Sequence, residues 1–331
     1  MMEELATREL ASIDKVEIQV LVDNATDSLS TIPAHAESEF AYLERHGMTE
    51  LSGDSLCCAC HGLALLITVS RGDRRHTILF DSGPEEYAFE RNAARLGADL
   101  GVVEGVVLSH GHWDHAGGML KALDLIRLRN CGRPIPYYAH PGMFRSRARR
   151  RPNGSMMPMR DVPGIEALTA HGAQVNSVTS PQIIAGGMFY LSGEIPRVTS
   201  FERGLPGHFQ KGADGNWKPD PLLIDERFLM VDVAEKGLVV FTACSHAGVV
   251  NVLKHARQCA AGRPLHAVVG GFHLAGVNEE IIPDTVSAMS EFNLSVIAAG
   301  HCTGWRAVRA LANAFGDKVV DPSVVGKRYM F

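Results

Sequence analysis

The apolar run Gly105-Val-Val-Leu108 delivers three imidazoles and a carboxylate within six residues, His110, His112, Asp114 and His115. The chain then turns through Ala116-Gly117-Gly118. A buried strand that ends in such a cluster demands a fold in which strand ends converge on a polar site. Extended backbone places His110 and His112 on one side, because side chains alternate with period two. Imidazole and carboxylate are the donors that borderline divalent ions such as zinc prefer. Two pairs of donors on one loop can serve two adjacent ions. A histidine-rich surface loop is the plainer alternative, and four donors at this spacing behind an apolar strand argue against it.

Later histidines fall in a matching context. His246 closes Leu238-Val-Val-Phe-Thr-Ala-Cys-Ser-His, His273 closes His266-Ala-Val-Val-Gly-Gly-Phe-His, and His301 closes Val296-Ile-Ala-Ala-Gly-His. Glu194 follows Met188-Phe-Tyr-Leu-Ser-Gly in the same way. Sites in mixed sheets collect where strand ends and loops meet. Any one of these histidines alone is more often a hydrogen-bonded structural residue, but three in one context point to a shared site. His255 and His266 lack that context and belong on a helix and at a strand start.

At 331 residues the chain can hold one large domain or two smaller ones. A net charge of -5 gives no reason to expect a nucleic-acid partner. The one basic cluster, Arg145, Arg147, Arg149, Arg150 and Arg151, reads as a solvated helix face or loop, although a phosphorylated substrate would find it useful. No segment approaches the roughly 20 apolar residues of a membrane span. The N-terminal ten residues are charged and amphipathic without a secretory apolar core. Seven cysteines, with Cys57, Cys58 and Cys60 crowded together, suit a reducing cytoplasm. Cys57 and Cys60 have C-x-x-C spacing, yet they run straight into an apolar strand and read as small core or loop-edge residues.

Strand-like runs include Val16 to Val22, Leu63 to Val69, Thr77 to Phe80, Val102 to Leu108, Arg227 to Val233, Gly237 to Thr242 and Leu294 to Ala298. Helical stretches are expected at about Glu85–Leu96, Gly118–Asn130, Val249–Ala260, Glu279–Phe292 and Arg306–Phe315. Strands precede helices in both halves, which suggests an α/β fold of two facing sheets with helices outside. The segments near Arg145–Pro163 and Glu202–Pro221 are the most loop-like.

His110-Gly-His-Trp-Asp-His115 resembles the HxHxDH signature of the metallo-β-lactamase fold superfamily. The resemblance extends through Val22-Asp-Asn-Ala-Thr26, Ile78-Leu-Phe-Asp-Ser-Gly83, Cys244-Ser-His-Ala-Gly248, Gly270-Gly-Phe-His273 and Gly300-His-Cys-Thr-Gly304. Within the superfamily these segments resemble the branch containing 7,8-dihydropterin-6-methyl-4-(β-D-ribofuranosyl)aminobenzene-5′-phosphate synthase and related metal-dependent hydrolases. The likeness implies a four-layer αβ/βα sandwich, as a single domain over 1–331 with loop-rich insertions near 141–165 and 202–221. It implies that His110 and His112 begin one metal site, that Asp114 and His115 serve a second, and that His246 and His301 are further ligands. His273, Glu194, His61 and Asn24 are candidates to complete the shell or touch substrate, with Asp81 hydrogen-bonding a ligand histidine or its loop. The bridging aspartate usual in the superfamily has no counterpart, because Ala243-Cys-Ser-His246 stands in its place. Where the branch has Glu-His-Gly-Leu-Ser, this chain has Cys60-His-Gly-Leu-Ala64.

The cofactor expected is Zn2+, one or two ions, with Mn2+ and Fe2+ compatible with the same donors. The function expected is hydrolysis of an ester, lactone or similar small electrophile by a metal-bound hydroxide, with Asp114 catalytic. Two alternatives stay open: a synthase of the branch type, and a non-catalytic ligand sensor on the same fold. The partner expected is a small-molecule substrate rather than nucleic acid or a membrane, in a cytoplasmic protein, with a homodimer as the default assembly.

Overall fold

Along strand Ala64–Arg71, Leu65, Ile67 and Val69 enter one apolar cluster while Ala64 and Leu66 enter another. The second sheet repeats the pattern: Leu229, Val231 and Val233 share the first cluster, and Met230 lies in a third. Period-two alternation thus gives each sheet two buried faces, and helices must cover the outer ones. This architecture was found in a computed structural model that describes residues 10–331; the N-terminal segment 1–9, read above as charged and amphipathic, lies outside the described residues.

Among the described residues the first sheet has eight strands, in the order Ala173–Ser177, Ile135–Ala139, Val103–Val107, Arg74–Phe80, Ala64–Arg71, Lys15–Val22, Arg328–Met330 and Ala36–Glu37. The second has seven: Gln182–Ile184, Phe189–Leu191, Leu229–Val233, Gly237–Thr242, Leu265–Gly271 and Val296–Gly300 in order, with Ser12–Ile13 beside Leu229–Val233. Helices Glu86–Arg95 and Met119–Arg129 cover the first sheet, and Val249–Cys259, Ile282–Met289 and Trp305–Phe315 cover the second. The result is an α/β sandwich of four layers, helices, sheet, sheet, helices.

Two sets of parallel neighbours position the site. Arg74–Phe80 runs parallel to Val103–Val107, and Gly237–Thr242, Leu265–Gly271 and Val296–Gly300 run parallel to one another. Their C-terminal ends therefore lie side by side, and each is followed by a candidate donor or, after Phe80, by its support Asp81.

The two segments expected to be loop-rich insertions are not independent loops. Strand Arg147–Arg150 pairs with His208–Lys211, and Met156–Pro158 and Trp217–Pro219 flank them in a four-stranded antiparallel sheet. The arginine cluster, expected on a solvated helix face or loop, instead has Arg147, Arg149 and Arg150 on a strand. Arg147 is buried against Asp225 at 2.8 Å, while Arg149 and Arg150 remain exposed. Short strands of mixed polarity, each half from a different stretch of sequence, carry little periodicity for a sequence reading to find. Among the described residues no helix is long and apolar enough to cross a membrane.

Candidate metal centre

The strand ends turn abruptly where the donors begin. Asp81, Ser245, His273 and His301 have φ values of 61°, 57°, 43° and 46°, a left-handed region uncommon for residues with a side chain. Four such residues at the ends of converging strands hold the turns tight around one spot. Gly111, between the first two histidines, is needed for close approach, since a Cβ there would lie 2.7 Å from the Met143 Cα.

The hydrogen bonds around the imidazoles fix which nitrogen carries the proton. The Ser109 hydroxyl donates to Asp81 Oδ2 at 2.7 Å, so its oxygen accepts from His110 Nδ1 at 2.9 Å and leaves His110 Nε2 as a lone pair. His208 Nδ1 can only donate to the Asp220 carbonyl, 2.8 Å away. His208 Nε2 is then an acceptor, and His112 Nε2 donates to it at 3.0 Å, leaving His112 Nδ1 as a lone pair. His110 Nε2 and His112 Nδ1 face each other at 3.0 Å. Two acceptors at that distance require a cation or a proton between them.

A second pair repeats the situation. His115 Nδ1 donates to Asp81 Oδ2 at 2.7 Å, and His301 Nδ1 donates to Asn24 Oδ1 at 2.9 Å. The orientation of Asn24 follows from Gly62, whose amide donates to the same Oδ1 at 3.1 Å, so Asn24 Nδ2 donates to His61 Nδ1 at 3.0 Å. The Nε2 atoms of His115 and His301 are 3.2 Å apart. Asp114 Oδ2 lies 3.8 Å from the first, 3.5 Å from the second and 3.4 Å from His61 Nε2.

Electrostatics agree with this geometry. Burial, reinforced by neighbouring imidazoles, holds His110, His112, His246 and His301 well below the ordinary histidine value. Burial would lower His115 too, but the carboxylates of Asp114 and Asp81 lift it to about 9.

Among the described residues three groups of side chains offer donor atoms within 4.8 Å of one another: His110, Cys244 and His246; His115, Cys244 and His301; Cys244, His273 and Cys302. The residues fit a metal ion on a direct observation. His246 is buried with neither ring nitrogen hydrogen-bonded, an uncompensated cost unless another species takes a lone pair. Its ring centroid is 4.8 Å from that of His110 and 5.0 Å from that of His112.

The structure thus brings His110, His112, Asp114, His115, His246, His273 and His301 together, with Asn24 and His61 alongside. Glu194 is not brought in. Its half-exposed carboxylate pairs with His140 Nε2 at 3.1 Å and does not line the cavity. Asp81 lies behind the donors, holding His115, Ser109 and, through Ser109, His110. Sequence reasoning missed several supports. His208 arrives on the small sheet, where only the Gly207-His208 turn marks it. Asp225 accepts from the Gly111 amide at 2.9 Å, and Glu226 accepts from the amides of His246 and Ala247 at 2.7 and 2.6 Å. Asp23 accepts from the His301 amide at 2.8 Å. Acidic residues beside strands were visible in the sequence, but their amide partners are distant along the chain.

The donors open onto a cavity of about 420 Å³, with His61, Trp113, Asp114 and Arg149 among its lining residues. Trp113 is therefore at the cavity.

Residues 59–178 match the metallo-beta-lactamase superfamily model. The chain is 28% identical over 259 residues to 7,8-dihydropterin-6-methyl-4-(beta-D-ribofuranosyl)-aminobenzene-5′-phosphate synthase of Methanocaldococcus jannaschii, covering 78% of this chain and 85% of that protein. An uncharacterized protein of the same organism is 28% identical over 257 residues, covering 77% and 88%. The fold is shared with Tm1679, a metal-dependent hydrolase of the beta-lactamase superfamily, at TM-score 0.69 and 23% identity over 95% of this chain and 98% of that one. It is shared more distantly with the metallo-beta-lactamase fold protein YhfI of Bacillus subtilis, at TM-score 0.52 and 11% identity over 96% of this chain and 100% of that one. Over residues 59–178 the chain thus matches the metallo-beta-lactamase superfamily model, and the shared fold and the donor motif agree with that likeness.

Proposed function

We propose that the protein is a metal-dependent hydrolase acting on a small electrophile such as an ester or lactone, with zinc as the metal. The observation that carries this reading is the pair of facing lone-pair gaps, His110 to His112 and His115 to His301, beside the unpartnered nitrogens of His246. His110, His112 and His246 would hold one ion, and Asp114, His115 and His301 the other. Zinc, when bound, lowers the pKa of a coordinated water to about 7, supplying a nucleophile at neutral pH.

The chain's own residues do the rest. Asp114 presents Oδ2 toward His115 and His301, and a carboxylate has a second oxygen that can take a proton from the attacking water. His61 is more than half exposed, and because its Nδ1 accepts from Asn24 its Nε2 carries the ring proton and faces Asp114 Oδ2 at 3.4 Å, which orients that carboxylate. Asn24 holds the His61 ring from its Nδ1 side. Trp113 supplies an apolar wall for the substrate.

A second reading, a synthase acting on a phosphorylated substrate, is favoured by Arg149, which brings a guanidinium from the small sheet to the cavity. The Methanocaldococcus relative carries a phosphate compound in its name.

Metal analysis of the purified protein, paired with a panel of ester, lactone, thioester and phosphodiester substrates, tests the proposal. Bound zinc and a turnover that is lost with a chelator and regained with the metal are expected. A protein that binds no transition metal, or a turnover indifferent to chelation, would overturn it. Turnover only with phosphorylated substrates and without water consumption would select the synthase.

A further inference from the structure

Cys244 belongs to both candidate groups, the one with His110 and His246 and the one with His115 and His301. No other side chain is common to the two among the described residues. It stands at the end of Gly237–Thr242, at the place where the sequence lacks the superfamily's bridging aspartate, and it is 2% exposed. Its Sγ lies 3.3 Å from His115 Nε2, the nitrogen that faces His301. The thiol and the imidazole therefore aim at the same point. His246, which shares the other group with Cys244, keeps two buried nitrogens without partners.

We infer that Cys244 is the bridging ligand of this centre, a thiolate shared by two metal ions in place of a carboxylate. A thiolate carries the same single charge as the aspartate it replaces, so the charge balance of a two-ion site is kept. Sulfur has further lone pairs after the first metal bond, which lets one atom serve two ions. A coordinating thiol is deprotonated outright, and the proton leaves to solvent as the metal binds. The softer donor shifts the metal preference: thiolate suits zinc, ferrous iron or cobalt, and penalises magnesium and manganese, which prefer oxygen ligands. The neighbouring pair Cys302 and His273 offers a third group with the same thiol, and the outcome for Cys302 separates a bridge from a site on that side.

The inference rests on the metal-centre reading above, and cobalt distinguishes the failure of one from the failure of the other. The intact chain, stripped and reloaded with Co(II), is expected to bind two ions. It should show a near-ultraviolet thiolate-to-cobalt band that grows through the second equivalent. X-ray absorption should find about one sulfur per metal, where a terminal cysteine would average half. Cys244→Ser should lose the band and bind the second ion at least about tenfold more weakly, since loss of an outer partner alone costs about 10- to 100-fold. Cys244→Asp should restore the second ion without the band, and this also guards against a serine variant that fails to fold. Cys302→Ser should keep both. Two cobalt ions bound with no sulfur scattering, half a sulfur per metal, or a band lost in Cys302→Ser and kept in Cys244→Ser would each overturn the bridge while leaving the metal centre standing. No cobalt bound at all would overturn both.

Discussion

The two sheets hold their candidate donors in opposite ways. On the first sheet every imidazole is backed on its outer nitrogen before any ion arrives: His110 by Ser109, His112 by His208, His115 by Asp81. On the second, His246 has no hydrogen bond on either nitrogen, and His273 has none on Nδ1. His301 is the exception, and its partner Asn24 follows a first-sheet strand. One side is preorganised by protein, and the other is left for an ion to complete. Buried acceptors without partners are costly, so the second sheet concentrates the sensitivity to metal while the first concentrates the sensitivity to mutation.

The largest test of that contrast lies away from the donors. Arg147 and Asp225 form a buried pair at 2.8 Å, and Asp225 also accepts from the Gly111 amide between the first two histidines. Arg147→Ala leaves a buried carboxylate unpaired and is expected to cost about 3–5 kcal/mol, read from denaturant unfolding of the metal-free protein. A cost below about 1 kcal/mol would mean that the small sheet does not brace the first-sheet turn. Next in size, Asp81→Ala removes the acceptor for His115, the Ser109 amide and the Ser109 hydroxyl. It is expected to weaken metal binding by about 10- to 100-fold in a chelator competition. Unchanged affinity would erase the distinction between the two sides. His208→Phe removes the acceptor that sets the His112 tautomer, together with the donor to the Asp220 carbonyl, and about a tenfold loss confined to one of the two ions is expected. Equal loss at both ions would show His208 acting through general packing.

The layers were legible because a strand buried on both faces reads as a near-continuous apolar run, as in Leu63 to Val69 and Leu238 to Phe241. The donor cluster was legible because its four members are nearly consecutive, and His246, His273 and His301 because each closes an apolar run. His208 was not, since it lies on a strand of four residues whose partner, Arg147–Arg150, is some sixty positions earlier. Its chemical meaning depends on one tertiary contact, which no local pattern encodes. Glu194 shows the converse: a strand-end context identical to that of the histidines, yet the turn after Ser192 sends its carboxylate to His140. Cys244 was visible only as a missing aspartate. Its position between two groups of imidazoles is a property of the facing sheets.

The finest test sits behind the second sheet. Glu202 accepts from the amides of Val250 and Asn251 at 2.8 and 2.9 Å, at the start of helix Val249–Cys259, directly after the His246 loop. Burial, only partly offset by those amides, Thr199 and Arg197, holds its carboxyl above the ordinary value of 4.5. A carboxyl raised in the folded state binds more protons there than in the unfolded chain. Its contribution to stability is therefore complete below 4.5 and is lost as pH climbs through the folded value. Glu202→Gln cannot ionise and keeps one oxygen for one amide, so about 1 kcal/mol or less should be lost at neutral pH. The telling feature is the slope: relative to wild type, the variant's unfolding free energy should gain as pH rises across that window. Parallel curves for the two proteins would mean that Glu202 is ionised throughout, and that the second sheet's loop is as firmly braced by charge as the first sheet's turn.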